Sequence, residues 1–187
     1  MDSFSYLSVF ISLILGLGVA HLLTGAAILI RSRQGIKMWW PTPLWMAATF
    51  LIQVQTWWAM FTLRSVEQWS FAAFMVVLLQ PVAIFMMAAL IVPRATTGDR
   101  LDLRDDYYRE YRWFFSALLF ALAVSLTKDL VLNGRLPEPR NLAAHGLFIA
   151  VAIAALAFRS ARVQLTLALV GLALFSGYIA LLFTKLS

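Results

Sequence analysis

Six apolar runs, each close to the length that crosses a bilayer, constrain this chain more than any other feature of its sequence. A hydrocarbon core about 30 Å thick takes roughly 20 residues of helix. Of the 187 residues, 62% are hydrophobic and 13% are charged, whereas soluble domains are nearer half apolar and a quarter charged. The runs predict an all-α integral membrane bundle of six transmembrane helices, formed as a single domain over residues 1–187. The predicted spans are 6–30, 43–63, 71–92, 113–132, 142–158 and 163–183.

The loop at 93–112, between the third and fourth predicted spans, is the longest polar segment. Helical spacing collects its apolar residues on one side, which predicts a short amphipathic interfacial helix before the fourth span. Those residues are Leu101, Tyr108, Tyr111 and Phe115. The arginines of the loop form a candidate surface for anionic lipid or for a cytoplasmic protein partner. They are Arg100, Arg104, Arg109 and Arg112.

Lysine and arginine are shared unequally between the two sets of loops. The first, third and fifth loops hold about twice as many as the opposite side, and the positive-inside rule assigns the richer set to the cytoplasm. Both termini are then expected on the outer, periplasmic side. The net charge of +6 follows from these loops, and no nucleic-acid partner is expected. The richer set is Arg31, Arg33, Lys37, Arg94, Arg100, Arg104, Arg109, Arg112, Arg159 and Arg162, against Arg64, Lys128, Arg135, Arg140 and Lys185.

Three polar side chains are predicted to lie near the middle of the membrane, on different helices. Counting at about 1.5 Å per residue places His21, Gln53 and Gln80 at a similar depth. Polar groups are costly against lipid, so they are expected to meet inside the bundle, either lining a path or binding a ligand, or as interhelical hydrogen bonds. Gln55 lies about 200° around the helix from Gln53, which predicts a second protein surface and hence a homo-oligomer.

Two charges fall near the outer end of the fourth predicted span. Lys128 and Asp129 are candidate outer-mouth charges, since ionisable residues inside membrane segments often serve function. Asp129 is a candidate relay group paired with Arg64 or Arg140. The alternative is a structural or interfacial role, because a lysine near a helix end extends to the interface.

Metal and cofactor sites find little support. The chain has no cysteine, and its two histidines, His21 and His145, are predicted at different depths, which argues against a shared haem iron. The acidic residues of the 93–112 loop alternate with arginines, so ion pairs explain them better than a Mg²⁺ site. No catalytic sequence motif is present. No cofactor, no metal and no enzyme activity are therefore predicted.

Several short segments carry a resemblance to a known group. These are "YLSVFISLILGLGVAHLLTG", "WPTPLW", "QTWWAMF", "LLQPVAIF" and "YRWFFSALL", which lie within roughly the first 130 residues. The chain resembles a group of uncharacterised bacterial polytopic inner-membrane proteins. The resemblance implies a location in the bacterial inner membrane and implies no activity.

The function favoured by the sequence is a small oligomeric transporter or channel subunit with a polar cluster at mid-depth. A non-catalytic membrane scaffold, docking a partner or anionic lipid, is the alternative. A lipid-modifying or haem-binding redox enzyme is the third hypothesis. Substrate and partner are not specified by the sequence.

Overall fold

The computed structural model describes residues 3–31, 35–66, 69–94 and 101–182, and these form a helical bundle. Its helices are α1 (Ser3–Arg31), α2 (Pro41–Ala59), α3 (Phe71–Ile91), α4 (Leu103–Asn133), α5 (Pro139–Ala157) and α6 (Ala161–Leu182). A 3₁₀ helix, η1 (Met60–Ser65), continues α2. Helix α3 packs against α1, α2 and α4, while α2 also contacts α1 and α6, and α5 bridges α4 and α6.

Five of the helices are long and apolar enough to cross a membrane, namely α1, α3, α4, α5 and α6. The all-α fold and the apolar helices predicted from the sequence are therefore present. Helix α2 differs because its 19 residues include prolines, glutamines and tryptophans, which lower its hydropathy. It is packed between α1, α3 and α6, so part of its surface is covered by protein instead of lipid.

The predicted interfacial helix before the fourth span is not separate in the structure. Residues 103–112 are the first turns of α4, which runs unbroken to Asn133. The sequence pattern groups Tyr108 with Phe115, but the buried row begins with Leu103, Tyr107, Tyr111 and Phe114. These residues recur every three or four positions and face the bundle, so the segment packs inward and extends the helix.

A two-stranded parallel sheet closes one end of the bundle. Strands β1 (Ile36–Lys37) and β2 (Leu101–Asp102) pair with Ile36 opposite Leu101. We call this the strand end and the opposite end, where η1 lies, the η1 end. At the η1 end α4 stops at Gly134, whose φ of 65° is a conformation that favours glycine.

Asp102 ties the sheet to the start of α4. Its carboxylate accepts hydrogen bonds from the backbone N–H groups of Arg104 and Asp105, which caps the helix. It also accepts a bond of 2.7 Å from the Lys37 ammonium. The Lys37 hydrogen bond is the largest cause lowering the pKa of the Asp102 carboxyl below its usual value, and the same contact raises the pKa of Lys37.

The fifth predicted span also begins differently. The predicted span starts at residue 142, but α5 begins at Pro139, with Glu138 before it and no side-chain cap. Proline suits this position because the first N–H of a helix has no partner to lose. Asn141 is thus inside the helix, and its side-chain oxygen accepts a bond of 2.9 Å from the Tyr178 hydroxyl.

Replacing Asp102 by alanine should lower the free energy of unfolding by about 1 kcal/mol, because the cap and the Lys37 contact are both lost. Asp102→Asn is the matched control, since asparagine caps equally well but cannot pair with Lys37. Because the pKa of Asp102 is lowered, its contribution should be present above its ordinary value of 3.8 and vanish as pH falls through the lowered one. Thermal unfolding in detergent micelles, repeated at several pH values, measures the stability of each variant and its dependence on pH. Equal stability of the alanine and asparagine variants would contradict the capping role.

Candidate functional site

A cavity of about 420 Å³ occupies the η1 half of the bundle. Helices α2 to α6 each present one face to it, with residues at helical spacing such as Gln55 and Ala59 on α2 or Ser125 and Lys128 on α4. Its volume falls within the range of small-molecule sites. The lining mixes polar side chains with apolar ones such as Leu122 and Phe148, so both a polar group and an apolar group of a ligand find matching surroundings.

Lys128 is a half-buried cation on this cavity wall. Its ammonium donates a hydrogen bond of 2.9 Å to the side-chain oxygen of Gln80. An ammonium has three N–H donors, and Lys128 forms no ion pair within the described part of the chain. Asp129 lines the same cavity. The cavity therefore carries one positive and one negative side chain that do not neutralise each other by direct contact.

A chain of hydrogen bonds joins α4, α5 and α6 across the cavity. The Ser125 hydroxyl lies 3.1 Å from Nε2 of His145, whose Nδ1 lies 2.8 Å from the backbone oxygen of Asn141. Tyr178 donates to the Asn141 side chain. His145 is 7% exposed, so its ring is held in one orientation by contacts on both nitrogens.

Aromatic side chains fill the bundle beyond the inner limit of the cavity. The lining residue of α4 nearest the strand end is Leu118, and one turn further Phe114 and Phe115 are fully buried. The Trp45 ring packs on both, with centroid distances of 5.6 and 5.1 Å. Helix α6 approaches this ring closely at Gly171, where a Cβ atom would lie 2.7 Å from it. These three rings, which we call the aromatic seal, close the cavity towards the strand end.

The difference between the two halves of the interior has a physical origin in side-chain size. The large rings of the aromatic seal fill the interior near the strand end. Smaller residues, including Ala121 and Ala144, face the cavity. The helices do not approach closely enough around these small side chains to fill the interior, so space remains. The cavity is therefore a consequence of which residues meet there, and does not require strain in the backbone.

A buried hydrogen-bond network reinforces the aromatic seal. Gln164 is fully buried, accepts a bond of 2.7 Å from the Tyr107 hydroxyl, and donates to the backbone oxygens of Ala155 and Phe158. Each polar atom of this amide is therefore satisfied. The network, which we call the Gln164 network, connects α4, α5 and α6 at the strand end.

Arginines cover the strand end from outside through cation–π contacts. The Arg104 guanidinium lies 5.3 Å from the Trp39 ring centroid, and that of Arg159 lies 5.6 Å from the Tyr108 ring. The Tyr108 hydroxyl also donates to the backbone oxygen of Arg159. Such contacts contribute about 0.5–1 kcal/mol each at exposed sites.

The predicted lipid- or partner-binding arginines have intramolecular contacts where they are described. Arg109 lies 4.0 Å from Asp106, and Arg112 donates to the Tyr111 hydroxyl at 3.3 Å. Arg94 pairs with Glu110. Arg100 lies outside the described residues. No group of three residues suited to hold a metal ion occurs within the described ranges.

The predicted cluster of His21, Gln53 and Gln80 is not assembled. His21 is exposed on α1, and Gln80 bonds to Lys128. Gln53 is 1% exposed, and neither its amide oxygen nor its amide nitrogen has a hydrogen-bond partner among the described residues. It packs on Gly18 of α1, where an added Cβ atom would lie 2.6 Å from the amide nitrogen. The three side chains therefore point in different directions.

The structure instead brings together Gln80 and Lys128, which the sequence assigned to two separate candidate sites. Gln80, expected at mid-depth, and Lys128, expected at the outer mouth, are partners in one cavity wall. Neither Lys128 nor Asp129 pairs with Arg64 or Arg140 in the part of the chain that the structure describes. Gln55 faces the cavity inside its own chain, so its position does not require a second protein.

Sequence reasoning missed Ser125, Asn141, Gln164 and the partner of His145. A usable signal was present in the helical spacing. Asn141 and His145 are four residues apart, and Ser125, Lys128 and Asp129 fall within about one turn of each other. Polar residues repeated on one helical face inside an apolar run indicate a face turned away from lipid.

Comparison of the chain with protein-family models, with curated proteins and with solved structures found no match.

Gly18→Ala should destabilise the protein by about 1–3 kcal/mol, because the new methyl group overlaps the Gln53 amide. Gly16→Ala is the matched control, since no atom lies within 4 Å of an added Cβ there. Thermal unfolding of the two variants compares them directly. Gln53→Ala in the Gly18→Ala background should restore part of the loss. An equal melting temperature for both glycine variants would show that α1 and α2 do not pack this closely.

Tyr107→Phe should cost about 1–3 kcal/mol, because it leaves the buried Gln164 oxygen without its donor. Tyr108→Phe removes a hydroxyl bonded to an exposed backbone oxygen, so its effect should be smaller. Equilibrium unfolding in mixed micelles quantifies both. A larger loss at Tyr108 than at Tyr107 would contradict the assignment of the Gln164 network as the main polar link of the strand end.

Proposed function

We propose that the protein is a membrane carrier whose solute site is the cavity at the η1 end. The observation that carries this proposal is the cavity's asymmetry. Polar side chains from α2 to α6 line it. Phe114, Phe115 and Trp45 fill the interior between it and the strand end. A site at one end of the bundle that is blocked towards the other end is what a carrier presents in one of its two states. A channel would need a continuous polar path, which the aromatic seal interrupts.

The orientation of the carrier rests on its charges. Arginines and lysines are concentrated at the strand end, which the positive-inside rule assigns to the cytoplasm of a bacterial inner membrane. The η1 end then faces the periplasm, and the state we propose is an outward-facing one. In this arrangement α2 counts as a sixth span, because α1, α3 and α6 cover part of its surface and its amide Gln53 is buried.

The expected solute is small and amphiphilic. Lys128 and Asp129 offer one charge of each sign, and Gln55 and Asn141 offer amide groups. Apolar side chains such as Phe148 complete the lining. The mixture suits a ligand with both a polar head and an apolar part.

A homo-oligomer is part of the proposal and is supported by α1. His21 is exposed on α1, and so are the small residues Gly16, Ala20 and Thr24. A polar ring facing lipid at mid-depth is costly, and small residues let helices approach closely. A second copy packed on this face would cover both features.

A non-catalytic scaffold is the second candidate, and the strand end favours it. Its arginines lie over aromatic rings and present a basic surface to the cytoplasm. Under this alternative the cavity has no transport role, and the aromatic seal never opens.

Thiol accessibility tests the carrier proposal, because the chain has no cysteine of its own. Gln55→Cys should react with a charged, membrane-impermeant methanethiosulfonate added on the η1 side of proteoliposomes. Val54→Cys is the matched control: its side chain is exposed on the outer surface of α2, and a thiol facing lipid does not ionise. Gln55→Cys should react at least about ten times faster than Val54→Cys, since the thiolate is the reactive form.

A cysteine at Leu118, the inner limit of the cavity, separates the two candidates. A carrier samples its other state, so Leu118→Cys should react slowly with reagent supplied on the strand side. A scaffold should protect it from that side under all conditions. If Gln55→Cys folds but does not react, the cavity is not accessible to water from the η1 side. That result would contradict the proposed carrier.

A further inference from the structure

We propose that Ser125 and His145 are a nucleophile and a general base that cleave a carboxylic ester bound in the cavity. This activity goes beyond binding and transport of a solute. Its basis is the contact of 3.1 Å between the Ser125 hydroxyl and Nε2 of His145. A nucleophile within hydrogen-bond reach of a base that a third group orients is the arrangement that activates a serine.

The third group fixes the tautomer of the histidine. Nδ1 of His145 lies 2.8 Å from the backbone oxygen of Asn141, and a carbonyl oxygen only accepts hydrogen bonds. In the neutral ring the proton is therefore on Nδ1. Nε2 then presents its lone pair to the Ser125 hydroxyl, which is the state a general base requires.

Ser125 behaves differently from several other hydroxyl side chains in the described helices. Thr24, Thr49, Thr127 and Ser176 each donate to the backbone oxygen four residues earlier. That is the usual way in which a helix satisfies a serine or threonine in an apolar setting. Ser125 instead reaches from α4 to α5. The position of His145 on α5 thus directs the hydroxyl into the cavity wall.

The reaction needs only the ester and water. Ser125 Oγ attacks the carbonyl carbon while its proton passes to Nε2 of His145, giving a tetrahedral oxyanion. The carbon–oxygen bond to the alcohol then breaks, and His145 returns the proton to the leaving alcohol. Water then attacks the acyl carbon on Ser125 while its proton passes to His145. The bond from that carbon to Ser125 Oγ breaks, His145 returns the proton to Oγ, and a carboxylic acid and the free serine are released.

Lys128 is placed to favour the oxyanion. It lies about one turn from Ser125 on the cavity face of α4, and Gln80 takes one of its three ammonium donors. Preorganised positive charge in a site shielded from bulk water is an effective stabiliser of such an anion.

The apolar part of the lining indicates the substrate class. Leu122 and Phe148 are the neighbours of Ser125 and His145 on the cavity faces of α4 and α5, and Phe175 lies on α6. These side chains suit an acyl chain. The site is therefore expected to take a fatty-acyl ester, whose chain contacts them while the ester group meets Ser125.

Labelling with an alkyl fluorophosphonate tests the pair without knowledge of the natural ester. The serine oxygen attacks phosphorus, fluoride leaves, and the proton goes to His145, so the adduct forms only at an activated serine. The purified protein in micelles should become labelled, with mass spectrometry locating the adduct on Ser125. Ser125→Ala should abolish labelling. His145→Gln should slow it by about 100-fold or more, the usual effect of a general base.

Thr127→Ala is the control, because that hydroxyl lies on α4 two residues away and bonds its own helix. Its labelling rate should equal that of the unaltered protein. Hydrolysis of p-nitrophenyl octanoate, followed in the same variants, should show the same order. The absence of a Ser125 adduct in the folded, unaltered protein would overturn the proposal, as would an equal labelling rate in a folded His145→Gln variant.

Failure of this proposal is distinguishable from failure of the carrier. If Ser125 forms no adduct while Gln55→Cys still reacts with the charged thiol reagent, the cavity stands and the Ser125–His145 contact only joins α4 to α5. A fall in melting temperature of Ser125→Ala without any labelling of the unaltered protein would likewise overturn the esterase proposal and leave the contact a structural one.

Discussion

Partners for polar groups inside apolar helices organise the two ends of the bundle, although the buried amide of Gln53 has none among the described residues. In a medium with little water an unmatched amide or hydroxyl costs far more than at a surface. At the strand end Gln164 is satisfied completely by Tyr107 and two backbone oxygens. At the η1 end Gln80 and Lys128 satisfy each other only in part and line a cavity. The first arrangement holds the helices together, and the second leaves donors and acceptors available to a ligand.

The sequence predicted most of the fold because apolar length is read directly along the chain. The six α-helices were expected, with boundaries shifted by a few residues except at α4, but only five of them are long and apolar enough to cross a membrane, and the 3₁₀ helix η1 was not predicted. There the amphipathic start, Leu103 to Tyr111, resembles a surface helix because its charges are obvious, yet its apolar row is buried. A pattern of this kind fits both a membrane surface and a bundle interior. Packing against the other helices decides between them.

The candidate site was harder to predict because counting gives the depth of a residue but not the direction of its side chain. Gln53 and Gln55 illustrate this, since they lie only two residues apart and face opposite sides. Gln53 packs against Gly18, and Gln55 faces the cavity. The polar residues of α4 and α5 converge only because those helices are neighbours. Pairing of Ser125 with His145 depends on that tertiary contact, because the local sequence of each helix indicates a polar face but not which helix that face meets.

Helix α4 links the two ends, since its 31 residues run without a break from the Asp102 cap to Gly134. One rigid element thus carries Tyr107 of the Gln164 network, Phe114 of the aromatic seal, and both Ser125 and Lys128 of the cavity. A ligand that draws Lys128 or Ser125 towards it acts on the same body that holds the aromatic seal closed. For the seal to open, the Tyr107–Gln164 bond must break or α6 must move with α4. In the proposed carrier, coupling between cavity and seal would need no chain of small side-chain changes, because a shift of α4 as a unit would change both at once.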